Sequence, residues 1–158
     1  MKLTTRGRYA VQAMADIAAF GGASPTPAHE IALRQGISPD YLDQILSKLR
    51  RAGLVVAVRG AGGGYALALA PRDIRIADVV AAVDEEIKTT ACAPGAEVGC
   101  RGVSARCITH DLWDELGRQI EIFLNAISLE DVVERRVLGS ASVNRPVTEG
   151  KSLAALAD

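Results

Sequence analysis

The sequence predicts a mainly α-helical protein that carries one small β-hairpin. Apolar residues recur at intervals of three and four over much of residues 4–84 and again from residue 110, as on one face of a helix. Two short apolar segments flank a glycine-rich run and predict the hairpin. The 158 residues, 49% of them hydrophobic, suffice for one folded domain with an appendage.

Turn and cap signals divide the first third of the chain into three helices. They are expected at residues 4–20, 28–35 and 39–52, and each is followed by glycine. Ser38 is the expected N-cap of the third helix, and Pro39 behind it is typical of a first helical position.

The hairpin and a fourth helix come next. Residues 54–58 and 65–69 are the expected strands, and the glycine-rich tip at 59–64 has the backbone freedom that a tight connection needs. Pro71 ends the second strand, and residues 74–84 are expected to form the fourth helix.

The last third of the chain combines an irregular segment with a long helix. Residues 87–109 contain all three cysteines, residues 110–128 form the long helix, and 129–137 a short final one, before a tail at 138–158 without periodicity. A single helix of this length needs something to cover its apolar stripe, and a second copy is one candidate. The residues expected at that dimer contact are Leu112, Leu116, Ile120, Phe123, Leu124 and Ile127.

The net charge of −1 conceals a basic front half and an acidic back half. Residues 1–75 hold ten Lys and Arg against five Asp and Glu, and residues 76–158 hold eight against fourteen. This asymmetry indicates two separate tasks. We find no export signal and no apolar run long enough to cross a membrane, and three cysteines make a closed disulfide framework unlikely, so we expect a cytoplasmic protein.

Two helices joined at Gly36 and followed directly by a hairpin predict a winged helix-turn-helix that binds double-stranded DNA. The alternatives are an ordinary helical pair with a solvated basic face, or a phosphate loop, which lacks its Lys-Ser/Thr here. The expected DNA contacts are Asp40, Tyr41, Asp43, Gln44, Lys48, Arg50, Arg59 and Gly60.

Two of these residues are acidic. A carboxylate is repelled by the DNA backbone, yet in the major groove it can accept a hydrogen bond from cytosine N4. We therefore expect Asp43 to act in selectivity. The alternative is that Asp40 and Asp43 are first-turn acids, which the helix dipole stabilises and which do not touch DNA.

The three cysteines and one histidine form the pattern C-x7-C-x6-C-x2-H, with Cys92, Cys100, Cys107 and His110 as candidate ligands. Thiolates with one imidazole suit either zinc or an iron–sulfur cluster. A cysteine nucleophile with His110 as its base, or unliganded thiols, are the remaining alternatives, and spacing alone leaves all of them open.

Taken together, the segments MKLTTRGRYAVQAM, RQGISPDYLDQILSKLRRAGLV, VRGAGGGYAL, CITHDLW and FLNAISL resemble the IscR family over about residues 1–135. That family consists of homodimeric winged-helix transcription factors that respond to iron–sulfur status. The resemblance implies a labile [2Fe–2S] cluster on the three cysteines and His110, delivered by the cluster-assembly machinery. It also implies a dimer through helix 110–128, and DNA contacts from Tyr41, Gln44 and Arg59. The implied function is a regulator, mainly a repressor, of cluster-assembly genes with palindromic operators. It is not an enzyme and has no membrane partner.

The chain departs from the family pattern at several positions. Asp43 stands for a Glu, Asp40 for a Ser and Ala61 for a Pro, and the gaps between cysteines are longer. The nitric-oxide-sensing branch of the family uses an acidic ligand near the N-terminus, where this chain has Arg8.

Overall fold

The computed structural model describes residues 5–22, 24–84 and 108–137. Most of the predicted segments 87–109 and 138–158 lie outside these ranges, as do all three cysteines. The mainly α-helical fold with a small β wing is confirmed. In chain order the elements are α1 (Thr5–Phe20), α2 (Ala28–Gln35), α3 (Pro39–Arg51), β1 (Val55–Val58), β2 (Gly64–Leu67), a 3₁₀ turn (Pro71–Asp73), α4 (Ile76–Ala82), α5 (His110–Ala126) and α6 (Leu129–Val133).

Helix α1 lies at the centre of the core. It contacts α2, α3, α4, α6 and the second strand of the wing. Its buried face combines Ala10 and Ala13, which allow close helix approach, with the larger Met14 and Ile17. Aliphatic side chains supply nearly all of the remaining core, as expected from a chain with 4% aromatic residues.

A buried carboxylate joins α1 to α2. Asp16 is 2% exposed, and its oxygens accept hydrogen bonds from Arg34 Nε at 3.0 Å, Arg34 Nη2 at 2.7 Å and Gln35 Nε2 at 2.8 Å. The hydrogen bonds of Arg34 to Asp16 and, at the surface, to Glu30 raise the pKa of its guanidinium, whose Cζ also lies 4.7 Å from the centroid of the Phe20 ring. Because a buried charge must be paired and hydrogen-bonded, this contact fixes where α2 sits on α1.

Helix α4 begins two residues later than the pattern indicated. Ile74 and Arg75 are extended because they pair with the segment that follows α5: the Ile76 N–H donates to Ile127 O at 3.0 Å, and the Leu129 N–H donates to Ile74 O at 2.9 Å. The same pairing ends α5 at Ala126, before the predicted residue 128.

Helix α6 starts at the predicted place and ends early. Ser128 Oγ accepts from the Asp131 N–H at 3.1 Å, and the Asp131 carboxylate accepts from the Ser128 N–H at 3.0 Å, which is a capping box. The helix ends at Val133, where residue 137 was predicted, and Arg135 then adopts a left-handed backbone with φ of 57°.

Candidate nucleic-acid interface and metal ligands

The helix-turn-helix is formed by α2, Gly36 and α3. Gly36 has a φ of 64°, and its N–H donates to Ala32 O, so a left-handed residue ends α2 as the sequence suggested. Ser38 occupies the N-cap position of α3 with extended backbone, although its side chain makes no cap hydrogen bond. The turn therefore depends on backbone geometry at Gly36 and Pro39.

Helix α3 divides cleanly into an apolar face and a polar face. Leu42, Ile45, Leu46 and Leu49 are buried in the core. The opposite side leaves four of the predicted DNA contacts exposed to solvent, namely Asp40, Asp43, Gln44 and Arg50. Because the core holds the apolar face, the polar face is presented on a fixed support.

Tyr41 and Lys48, predicted to contact DNA, have partners within the chain. The half-buried ring of Tyr41 meets Tyr9 of α1 edge to face, with centroids 6.0 Å apart and planes at 76°. Lys48 Nζ lies 2.5 Å from Asp84 Oδ2, just beyond the end of α4. Both side chains therefore already help to hold the elements around α3.

The wing is an antiparallel pair in which Val55 faces Leu67 and Val58 faces Gly64. Gly60 and Gly62 adopt φ angles of 115° and 83° at the tip, which glycine alone adopts freely. Arg59 and Gly60 are exposed there, and no carboxylate within residues 5–22, 24–84 and 108–137 forms an ion pair with Arg59.

The wing is attached to the loop before α2. The Thr26 N–H donates to Tyr65 O and the Tyr65 N–H donates to Thr26 O, each at 2.8 Å. The neighbouring Gly64 permits this approach, because a Cβ at that position would lie 2.3 Å from Thr26 O. These backbone hydrogen bonds fix the second strand of the wing to the segment that leads into the helix-turn-helix.

Among the four predicted metal ligands, His110 alone lies in the described part of the chain. It is the first residue of α5 and is 8% exposed. Cys92, Cys100 and Cys107 lie outside the described residues, so the arrangement of the four candidate ligands stays a prediction. The buried position of His110 at the start of α5 restrains its ring, as is typical of a metal-ligating histidine.

The predicted dimer stripe on α5 is largely open. Leu112 is 63% exposed and Phe123 36% exposed, while Leu116, Ile120 and Leu124 are half-buried. Ile127 is different: it is 7% exposed, extended in backbone, and packed in the protomer's own core. Pairing with residues 74–76 turns Ile127 inward in the protomer, and its place in the dimer contact stays a prediction. Trp113, which is exposed beside the stripe, was not predicted.

Sequence patterns did not reveal the contacts of Asp16 and Asp84. A carboxylate in the apolar pattern of the first helix was the one available signal for the Asp16 pair. Nothing in the local sequence connects Asp84 with a lysine 36 positions away.

Comparison with known proteins agrees with this architecture. The family model for Rrf2, described as iron-dependent transcriptional regulators, matches residues 3–135. The chain belongs to the Rrf2 family. The HTH-type transcriptional regulator IscR of Aliivibrio salmonicida is 47% identical over 160 aligned positions, covering 96% of this chain and 94% of that protein.

Solved structures of Rrf2-type regulators share the fold. The IscR structure of T. potens has a TM-score of 0.69 at 35% identity, covering 92% of this chain and 93% of its own. CymR, the global cysteine regulator of B. subtilis, has a TM-score of 0.70 at 29% identity, covering 85% and 98%. This Rrf2 protein is accordingly a winged-helix, DNA-binding transcriptional regulator, not an enzyme. In the part that the structure describes, no helix is long and apolar enough to span a membrane.

Proposed function

We propose that this protein is a cytoplasmic, homodimeric regulator, mainly a repressor, of iron–sulfur cluster assembly genes, and that it senses cluster status through a labile [2Fe–2S] cluster. The observation that carries the DNA-binding part is the arrangement around α3. Its apolar face is buried in the core, while its polar face and Arg59 of the wing are both exposed, and the Thr26–Tyr65 pairing attaches the wing to the loop before α2.

Each exposed group has a distinct role in this proposal. Gln44 and Asp43, near the start of α3, read base edges in the major groove, where an amide pairs with adenine and a carboxylate accepts from cytosine N4. Arg50 at the other end of the helix contacts phosphate, and Arg59 with Gly60 enters the neighbouring minor groove. Asp40 and Tyr41 lie in the first turn of α3, next to these base-reading residues.

Selection of binding sites from random duplexes tests this part. We expect a palindromic site, because a two-fold dimer presents two copies of α3. Gln44→Ala should relax base preference at one position of each half-site by about 1–3 kcal/mol, whereas Arg59→Ala should weaken binding to all sequences and lower the salt slope by about 1 per protomer. Arg72→Ala, which removes an exposed arginine from the 3₁₀ turn, is the control. Equal losses from Arg59→Ala and Arg72→Ala would contradict the proposed wing contact.

The cluster would be held by Cys92, Cys100, Cys107 and His110. Three soft thiolates with one imidazole are a suitable donor set, and the buried position of His110 fits a restrained ligand. When bound, the cluster supplies an iron centre whose occupancy depends on iron supply and oxidation. What the protein contributes is His110 at the first turn of α5, so that ligation there bears directly on the helix that carries the exposed apolar stripe.

The same donor set also suits structural zinc, or unligated thiols that sense oxidation or nitric oxide. The visible spectrum and the iron, sulfide and zinc contents of anaerobically purified protein separate these possibilities. We expect visible absorption with iron and sulfide in equal amounts, and its loss in Cys92→Ala and His110→Ala. A colourless protein with stoichiometric zinc would contradict the cluster and support a zinc site. A metal-free protein would support the thiol alternative.

A second copy is the proposed occupant of the α5 stripe. Leu112, Trp113 and Phe123 are exposed on a 17-residue helix, and large apolar side chains exposed close together are typical of an interaction surface. Dimer formation across this face brings the two His110 segments and the two winged domains into one two-fold assembly. Transfer from the cluster-assembly machinery is the proposed source of the cluster.

A further inference from the structure

The recognition helix α3 carries a lysine that is already neutralised within the chain. Lys48 Nζ donates to Asp84 Oδ2 at 2.5 Å, and the lysine side chain is 28% exposed. Lys48 lies one turn before Arg51 at the basic end of α3. This is the end of the helix that the proposed function assigns to DNA phosphates.

Asp84 faces more than one cation of this surface. Its pKa is lowered chiefly by the hydrogen bond from Lys48, and further by the charges of Lys48, Arg6 and Arg51. Arg6 belongs to α1 and Arg51 to α3, so the charges of basic groups from two elements act on this carboxylate. The same positive charges would act on a DNA phosphate oxygen at this place.

The backbone of Asp84 is anchored, while its side chain is 78% exposed. Asp84 has a left-handed conformation with φ of 56°, and its N–H donates to Ala81 O at 3.0 Å. The residue before it, Val83, is completely buried. Asp84 therefore projects from a fixed point at the end of α4 toward α3.

We propose that Asp84 is an internal competitor of DNA phosphate, which occupies Lys48 and lowers the affinity of the basic end of α3 for DNA of any sequence. This inference rests on the proposed use of α3 in DNA binding. A phosphate that approaches Lys48 must displace the carboxylate or lie beside it, and both cost free energy. Among the described residues, the side chain of Asp84 hydrogen-bonds to Lys48, which is expected at a phosphate and not at a base. Its effect therefore falls on backbone affinity and salt dependence rather than on base preference.

Anisotropy titration of a fluorescent duplex of arbitrary sequence, over a range of salt concentrations, tests the proposal. Asp84→Asn is the informative change, because Asn tolerates the left-handed backbone and removes only the charge. We expect binding to tighten about two- to fivefold, the range of an exposed ion pair, and the salt slope to steepen by about 1 per protomer. Asp78→Asn, which removes the same charge from an exposed position of α4, is the matched control.

Lys48→Gln completes a double-mutant cycle. We expect it to weaken binding of the Asp84→Asn protein more than binding of the wild type. In the Lys48→Gln background, we expect Asp84→Asn to have no larger effect than Asp78→Asn. A second comparison uses Lys48→Gln and Arg50→Gln, each in the otherwise wild-type protein, and so does not depend on the folding of the Asp84 variant. We expect Lys48→Gln to lower DNA affinity less than Arg50→Gln.

Three results would overturn the inference. Equal effects of Asp84→Asn and Asp78→Asn would show that only net charge matters. An undiminished effect of Asp84→Asn in the Lys48→Gln background would show that Asp84 does not act through Lys48. Weaker binding by Asp84→Asn would show that the carboxylate positions Lys48 for DNA instead of competing with it. Wild-type protein that shows no salt-dependent binding to duplex DNA would instead refute the proposed function, and the inference would fall with it.

Discussion

Helices α3 and α5 are both amphipathic, but the structure uses their apolar faces in opposite ways. In α3 the apolar residues, such as Leu46, are completely buried against α1 and the wing. In α5 the two ends are buried, at His110 and just beyond the helix at Ile127, while Leu112 and Phe123 between them remain exposed. Within residues 5–22, 24–84 and 108–137, the apolar face of α3 is covered completely, whereas that of α5 is covered only in part.

This difference separates the two tasks that the charge asymmetry suggested. A helix whose apolar face is satisfied internally can present its polar face to a ligand as a rigid support. A helix whose apolar face is exposed can still gain hydrophobic free energy by burying that face against a partner. The three following predictions test this contrast.

The largest effect is expected from the core of α3. Leu46→Ala should lower the free energy of unfolding by about 2–5 kcal/mol, because it removes buried methyl groups and leaves a cavity. Leu33→Ala, at an exposed position of α2, should stay within about 0.5 kcal/mol. Urea denaturation monitored by circular dichroism gives both values. Similar losses of stability in the two variants would show that burial of Leu46 in the core does not stabilise the protein more than the exposed Leu33 does.

The next effect concerns the open face of α5. Phe123→Glu should raise the dimer dissociation constant by about a hundredfold or more, because a carboxylate would be buried in an apolar contact. Ile122→Glu is the matched control, since Ile122 is 60% exposed and lies about 100° around the helix from Phe123. Sedimentation velocity over a range of concentrations measures both. Dissociation by Ile122→Glu, with Phe123→Glu unaffected, would place the interface on the other side.

The smallest effect concerns the anchored end of α5. Ser128→Ala should cost about 1 kcal/mol of stability, because it removes the capping box that starts α6. Ser24→Ala, at an exposed loop position, is the control and should be neutral. If thermal unfolding gives the same midpoint for both proteins, the cap contributes nothing to holding α5 to the body.

The cap also predicts a pH dependence. Hydrogen bonds from the Ser128 hydroxyl and N–H lower the pKa of Asp131 below its ordinary value of 3.8. The carboxylate therefore contributes stability above pH 3.8, and this contribution is lost as the pH falls through the lowered pKa. Asp131→Asn should show a smaller loss of stability than the wild type over that acidic range, measured by urea denaturation. Parallel pH profiles would exclude the contribution.

Much of the fold was predictable where local signals decide the structure. The bounds of α2 and α3 follow from Gly36, whose left-handed backbone ends one helix, and from Pro39, which starts the next. The exposed face of α3 follows from its spacing, so Asp43, Gln44 and Arg50 were placed correctly as solvent-facing. Tyr41 and Lys48 were predicted on the same grounds, but spacing does not show that Tyr9 and Asp84 already contact them.

The sequence by itself determined the helix-turn-helix, the wing and the amphipathic stripe of α5, because each depends on residues within a few positions of one another. The tertiary structure decided which surfaces remain available. Pairing of residues 74–76 with 127–129 turned Ile127 inward in the protomer, and Asp84 took up the charge of Lys48. These contacts join segments that are 36 to about 55 positions apart. Local propensity does not report them, because they exist only once the helices have packed around α1.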